Sequence, residues 1–362
     1  MPSFTDSMGA VYKNLLKPLF FKLDPERAHE VTVDSLRVLR SIPGLAHLMG
    51  TFNQLPSAAQ PVEAFGVKFP NRIGLAAGFD KNAVCWEAFE AFGFGHVEIG
   101  TVTHKAQPGN PKPRLFRYPE HDAVLNRMGF NNHGAQSVAA RLAGQPGPGE
   151  RRIPLGVNIG KSKVTPLDQA VEDYLGSFAL LADYADYVVV NVSSPNTPDL
   201  RKLQEGDRLR ELLSELVAAN DKREQNRAGG RKPILLKIAP DLTEGEVDDI
   251  VQILHDLSLD GIIATNTTMA REGPFKDINQ AGGISGAPIC DMSTKMIAHI
   301  AKLVDRRFPI VGVGGITSPD TAAQKLDAGA TLVQVYSGMI FEGPLLAKRV
   351  ALHLAEKCGD LQ

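Results

Sequence analysis

The residues able to do chemistry in this chain gather where apolar runs stop. "VVVNVSSPNTP", residues 188–198, is the fullest case: three valines lead into Asn191, Ser193, Ser194, Asn196 and Thr197, split by Pro195. Alone, such a stretch is an ordinary polar turn, because Asn, Ser and Pro favour turns. It has company. Other apolar runs end in Lys81, in Thr101, in Asn158, in Lys237, in Thr265 with Asn266 and Thr267, in Gly314 with Gly315, and in Tyr336 with Ser337. Asn offers a donor and an acceptor side by side, which matches the edge of a planar imide; flavins and pyrimidines both have such edges. Lys237 has two readings. It stabilises negative charge on a reduced ring, or it pairs with a carboxylate elsewhere in the chain. "GVGGIT" (312–317) and "VYSGM" (335–339) also have two: bared backbone N–H groups and a helix N-terminus facing a phosphate, or glycines that only shape tight turns.

Several chemistries are missing. There is no HExxH, no paired carboxylate, no Cys/His dyad and no Walker A loop, and "GVGGIT" is not a dinucleotide fingerprint. Cys85, Cys290 and Cys358 lie too far apart for metal or iron–sulfur spacing, so no metal is expected, and an odd number suits a reducing compartment. With 39 basic and 41 acidic side chains the net charge is −2, which argues against a nucleic-acid surface.

These residues need elements to position them. The runs are 71–78, 96–103, 154–161, 187–194, 233–240, 261–268, 309–316 and 331–338, each followed by a helix-like stretch. Continuous β-branched strands alternating with helices predict a parallel sheet covered by helices, and eight such units predict a closed (β/α)8 TIM barrel. In that fold the polar ends converge on one rim. Ser318 is the expected N-cap of a helix with Pro319 at its first position and Gly329 beyond its end. Two connections, His104 to Gly134 and Met269 to Ser285, are long enough to be lids or binding loops.

Residues 1–60 differ from the barrel region, 61–362. "GAVYKNLLKPLFFKL" (9–23) sets Val11, Tyr12, Leu15, Leu16, Leu19 and Phe20 near one helical face, with Lys13, Lys17 and Lys22 among them and Pro18 interrupting. "DPERAHE" (24–30) opens a second helix with Asp24 as N-cap and Pro25 at its first position, and Pro43, Pro56 and Pro61 punctuate a connector. Two amphipathic helices are either a cap packed on the barrel or a segment lying on a membrane. No signal-peptide pattern opens the chain and no apolar stretch approaches the ~18 residues that span a bilayer, so no membrane crossing is expected.

"LAAGFDKN" (75–82), "RLFRYPE" (114–120), "NRMGFNN" (126–132), "GVNIGK" (156–161), "NVSSPNTP" (191–198), "LKIAPDL" (236–242), "TNTT" (265–268), "GGISG" (282–286), "GVGGI" (312–316) and "VYSGM" (335–339) occur in order. Together they resemble the quinone-dependent class of dihydroorotate dehydrogenases over nearly the whole chain, with no departure at a catalytic position. The resemblance implies an FMN-containing barrel that oxidises (S)-dihydroorotate to orotate in pyrimidine biosynthesis and passes the electrons to a membrane quinone, ubiquinone or menaquinone. It implies Ser194 as the base at carbon 5, with hydride leaving carbon 6 for the flavin, and Thr197 and Phe130 along the proton path. It assigns Lys81 to the substrate carboxylate. Asn126, Asn191, Asn196, Asn266 and Thr267 go to the pyrimidine, beside Arg127, Met128, Gly129 and Phe130. Ala76, Ala77, Gly78, Thr101, Asn158, Asn191, Lys237, Thr265, Gly286, Gly315, Tyr336 and Ser337 go to FMN. His29, Arg117 and Tyr336 line a quinone tunnel under the N-terminal cap. A monomer held peripherally at the cytoplasmic face of a bacterial membrane is expected. Two other readings are a flavin-free, phosphate-binding isomerase or aldolase using Lys237 or Lys81, and a non-enzymatic peripheral membrane protein.

Overall fold

The structure, a computed structural model, describes residues 9–42, 61–226, 230–305 and 308–359. Eight parallel strands close into a barrel: β1 (Ile73–Leu75), β2 (His96–Thr103), β3 (Leu155–Gly160), β4 (Tyr187–Asn191), β5 (Ile234–Ile238), β6 (Gly261–Ala264), β7 (Ile310–Val313) and β8 (Leu332–Val335). Neighbours in sequence are neighbours in space, and the Ile73–Val333 register between β1 and β8 completes the ring. Helices cover the outside, so both faces of the strands are buried and largely apolar, as the valine run of β4 illustrates. Except for β2, the ladders end before the sequence runs do, because the polar residues leave the sheet to form the rim. Helix Pro319–Asp327 starts at a capping box between Ser318 and Thr321 and is followed by Gly329 at φ +113°, as expected.

A hairpin, Val62–Ala64 with Val67–Phe69, closes the bottom of the barrel. Its two-residue turn, Phe65-Gly66, has φ of +41° and +75°, the handedness that matches twisted strands. It drives Phe69 into the barrel floor against the Tyr187 and His96 rings. At the top, the two long connections are not independent lids. Leu115–Tyr118 and Ala123–Asn126 form a hairpin, and Gly283–Gly286 from the other connection adds as a third antiparallel strand.

The N-terminal helices pack on this barrel. Pro18 has no N–H to bond back to Asn14, and the helix just upstream widens into a π turn at Tyr12–Leu16 before continuing as Lys17–Phe21. Helix α1 (Pro25–Ser41) starts at Asp24, whose carboxylate accepts from the N–H groups of Glu26 and Arg27 at 3.0 Å each. Tyr12 donates to the Ile340 carbonyl at 2.6 Å, Lys13 pairs with Glu342 at 2.7 Å, and Arg114 pairs with Glu26 at 2.8 Å. The helices therefore pack on the barrel as a cap, with Ala28 and Leu36 buried, while Val11, Leu15, Leu19, Leu23, Val38 and Ile42 face outward. Pro43, Pro56 and the boundary at residue 60 lie outside the described residues.

His96 is fully buried with neither ring nitrogen hydrogen-bonded, and burial pushes its pKa down to about 3. In the unfolded chain it takes up a proton near pH 6.5, which the folded state refuses, so stability is complete above that pH and is lost as pH falls toward 3. In urea unfolding between pH 6.5 and 4.5, His96→Asn is expected to shallow the acid slope by up to about 1.4 kcal/mol per pH unit. An unchanged slope would show that His96 protonates freely in the folded state.

Candidate active site

The rim is organised from below by one acid. Glu98, on β2, is wholly buried. Its Oε1 accepts from Asn158 Nδ2 at 2.7 Å and lies 3.4 Å from Lys237 Nζ, and its Oε2 accepts from Gln334 Nε2 at 2.8 Å. A relay runs upward from there. Thr101 donates to Asn158 Oδ1 at 2.6 Å, and Asn191 Nδ2 donates to Thr101 Oγ1 at 2.9 Å. Ser193 donates from Oγ to Asn191 Oδ1 at 2.8 Å, and Asn266 Nδ2 donates to Ser193 Oγ at 2.9 Å. Six of the eight strands, β2 to β6 and β8, thus contribute polar side chains from their length or their ends to one network. Lys237 has its carboxylate partner in Glu98, and it also lines the cavity above.

The loops carrying Lys81 and Ser194 are each held by a charged residue. After β1, the buried Asp80 carboxylate accepts from the N–H groups of Asn82, Val84 and Cys85 at 3.2, 3.0 and 2.7 Å, which curls the chain and turns Lys81 inward. Lys81 donates to the Gly78 carbonyl at 2.6 Å. Burial pushes its pKa down to about 8, with Glu26 opposing, Arg114 adding to and Asp80 opposing the shift. After β4, Ser194 Oγ accepts from the Asn196 N–H at 3.2 Å. Arg201 donates to the carbonyls of Ser193 and Thr267 at 3.0 Å each and pairs with Asp241 at 2.7 Å, so it ties the β4 loop to the β6 loop. Asn196 reaches across to the Asn126 side chain at 3.3 Å.

These side chains enclose a cavity of about 1170 Å³, its mouth included. Ser194, Lys81, Asn126, Met128, Gly129, Phe130, Asn191, Asn196, Asn266 and Thr267 line it, as do Ala76, Ala77, Gly78, Thr101, Lys237, Thr265, Gly286, Gly315, Tyr336 and Ser337. Asn158 sits one hydrogen bond beneath. Arg127 turns away: its guanidinium donates to the Pro113 carbonyl and stacks on Phe116, so only the backbone serves the segment. Thr197 is buried beside the cavity with its hydroxyl unpartnered, but does not line it. A second cavity of about 1110 Å³ opens beneath the N-terminal helices, lined by Phe20, Phe21, Leu36, Phe79, Phe89 and Met339 among others. Arg117 lines this one, while His29 and Tyr336 line both. Burial lowers the His29 pKa to about 3, helped by Lys81, and raises that of Tyr336 to about 12, so the shared wall is uncharged.

Sequence reasoning missed Glu98, Gln334, Asp80 and Arg201. An acid inside the apolar run "HVEIGTVT" was a signal for Glu98, because a buried carboxylate requires partners. The others show no sign until the fold supplies their contacts.

Comparison with known proteins agrees with this geometry. The family model described as dihydroorotate dehydrogenase matches residues 60–358. A Gloeobacter violaceus protein named dihydroorotate dehydrogenase (quinone) is 50% identical over 343 residues, covering 95% of this chain and 94% of its own. A Christiangramia forsetii protein of the same name is 47% identical over 348 residues, covering 96% of this chain and 99% of its own. A crystal structure of the Eimeria tenella DHODH in complex with ferulenol superposes with a TM-score of 0.80 at 35% identity, covering 92% of each chain. A family match over residues 60–358 and relatives about half identical over nearly their whole length, on a closed barrel with an amide-lined cavity at its strand ends, place this chain in the dihydroorotate dehydrogenase family.

Proposed function

We propose that the chain oxidises (S)-dihydroorotate to orotate on a bound FMN and delivers the electrons to a membrane quinone, as a step of pyrimidine biosynthesis. The observation that carries this is the pair of cavities meeting at His29 and Tyr336, one lined by amides, Ser194 and Lys81, the other mostly apolar with Arg117 in its lining. A planar polar ring fits the first, and a lipid-soluble ring fits the second.

The first cavity suits a flavin. Gln334 Oε1 and Thr267 Oγ1 are buried without hydrogen-bond partners, and unmet polar groups at a cavity call for a ligand. Gly78, at φ +106°, leaves the space a Cβ would fill, with only the Tyr336 ring 3.4 Å away. Ala76, Ala77 and Gly78 would flank the ring system, with Thr101, Asn158, Asn191, Lys237 and Thr265 at its polar edge. Gly286, Gly315 and Ser337 would take the phosphate, where Ser337 meets Ser285 at 2.7 Å. When bound, FMN supplies the two-electron exchange between carbon 6 of the pyrimidine and the quinone.

The chain's own residues bind, orient and move protons. Lys81 faces the substrate carboxylate. Asn126, Asn191, Asn196 and Asn266 address the imide and amide edges, and the free Thr267 hydroxyl adds a donor. Ser194 takes the proton from carbon 5 as its own hydroxyl proton is passed outward, and the Asn196 N–H aimed at its Oγ stabilises the alkoxide character that develops between the two transfers. The unpartnered Thr197 hydroxyl and the Phe130 ring lie along the way out for that proton. His29, Arg117 and Tyr336 would meet the quinone head. The outward Leu15, Leu19, Leu23, Val38 and Ile42, interspersed with lysines, suit peripheral attachment as a monomer at the cytoplasmic face of a bacterial membrane. Among the described residues no helix is long and apolar enough to cross one.

The deciding experiment is anaerobic mixing of the purified holoprotein with dihydroorotate while following flavin absorbance, then adding a ubiquinone analogue. Bleaching followed by recovery is expected; recovery only with NAD or fumarate would overturn the quinone assignment. Ser194→Ala should slow the bleaching by about 10²-fold or more while flavin content and dithionite reduction stay unchanged. A parent rate in that variant would remove Ser194 as the base. Because the substrate carboxylate needs protonated Lys81, KM for dihydroorotate should be flat below pH 8 and rise about tenfold per unit above it. A KM flat to pH 9.5 would exclude this pairing. Thr32 lines only the second cavity, so Thr32→Trp should raise the quinone KM about tenfold and leave flavin reduction by dihydroorotate unaltered. Equal loss of both half-reactions would mean that the second cavity does not hold the quinone.

A further inference from the structure

Asn126 and Asn196 face the same ligand from different loops, and what holds those loops together lies behind the cavity. Asn110 Nδ2 donates to the Arg127 carbonyl at 3.0 Å and to the Asn196 carbonyl at 3.2 Å. Its backbone N–H bonds the Met128 carbonyl at 3.0 Å, and its Oδ1 accepts from Lys163 at 2.9 Å. One side chain therefore spans the 126–130 segment and the Ser194 loop. The fit has no slack: a Cβ on Gly109 would lie 2.3 Å from the Met128 carbonyl, and one on Gly129 would lie 2.7 Å from the Asn110 amide.

Asn110 is held in turn. Arg114, nearly buried, donates from one terminal nitrogen to the Pro108 and Asn110 carbonyls at 2.6 and 2.8 Å. Its remaining nitrogens grip Glu26 of α1, at 3.2 Å from Nε to each oxygen and 2.8 Å from the other terminal nitrogen. Burial favours the neutral form of Glu26, but its bonds to Arg114 and Lys112 outweigh this and hold its pKa below the usual value. An unbroken line of contacts thus leads from α1 through Arg114 and Asn110 to Asn196 and Asn126.

We infer that Asn110 is a positioning residue for the pyrimidine-binding amides, and that the buried Glu26–Arg114 pair makes the docking of α1 part of that positioning. The helix that roofs the quinone cavity then also sets the affinity for dihydroorotate. This rests on the proposed substrate. Of the side chains in this line only Asn126 and Asn196 line the substrate cavity, whereas Glu26 and Arg114 also bear on Lys81 through their charges, a route that bypasses Asn110 and that a double variant separates.

The test is calorimetric titration of orotate into the holoenzyme, with KM and kcat for dihydroorotate measured using a soluble dye as acceptor, for the parent, Asn110→Ala and Glu26→Gln. In Asn110→Ala, orotate Kd and dihydroorotate KM should rise about tenfold while kcat changes less than about twofold. Glu26→Gln, which keeps the shape but removes the charge, should raise both about threefold, and the double variant should be no worse than Asn110→Ala alone because both act on one line. A simple loss of stability would lower active protein and leave Kd alone. An orotate Kd within twofold of the parent in Asn110→Ala overturns the positioning role, and the same result in Glu26→Gln, which also serves should Asn110→Ala not fold, overturns the link to α1. A parent holoenzyme that binds no orotate at all would instead sink the proposed function, and this inference with it.

Discussion

A carboxylate buried in the floor of a barrel is costly unless donors surround it, and Glu98 has them from three strands: Asn158 on β3, Lys237 on β5 and Gln334 on β8. The donors come from across the ring, so the acid fixes their positions relative to one another as well as meeting its own need. Asn158 then sets Thr101, Thr101 sets Asn191, and Asn191 sets Ser193 and through it Asn266. The rim owes its order to this downward pull. Neutralising Glu98 would loosen a relay that runs to the edge of the Ser194 loop.

Charge is kept at the margins of the two cavities. Lys237 has Glu98 beneath it, and Arg201 has Asp241 behind the loops it ties. The wall common to both cavities consists of Leu115, Val124 and the neutral rings of His29 and Tyr336, because burial disfavours the charged form of each ring. Arg117, at the second cavity, hydrogen-bonds only the carbonyls of Phe20, Phe21 and Leu23 among the described residues, and at the first the exception is Lys81. It reaches the cavity without a direct carboxylate partner among its hydrogen bonds, its ammonium satisfied by the Gly78 carbonyl, and so has capacity left for an anion.

Much of this was legible in the sequence where the determinants are local. The run 96–103 became β2 residue for residue, and Asp24 and Ser318 cap the helices their spacing announced. Rim residues were legible because a strand end is a fixed place in this fold. What could not be read depends on partners far apart in the chain. Glu26 and Arg114 are 88 residues apart and Gln334 and Glu98 are 236 apart, and neither pair has a local pattern. Arg127 failed differently: it sits in the right motif, but its side chain finds the Pro113 carbonyl and the Phe116 ring on the far side. The two long connections were visible as long, yet nothing in either one says that they pair.

That pairing bears on the order in which the molecule is made. Gly283–Gly286 completes a sheet begun by Leu115–Asn126, so the roof over the site waits for a strand that leaves the ribosome some 160 residues later. Local βα units can collapse as they emerge, whereas contacts of such long separation close late. The rim is thus unroofed through most of synthesis. A flavin present at that stage would meet an open bowl rather than a finished pocket.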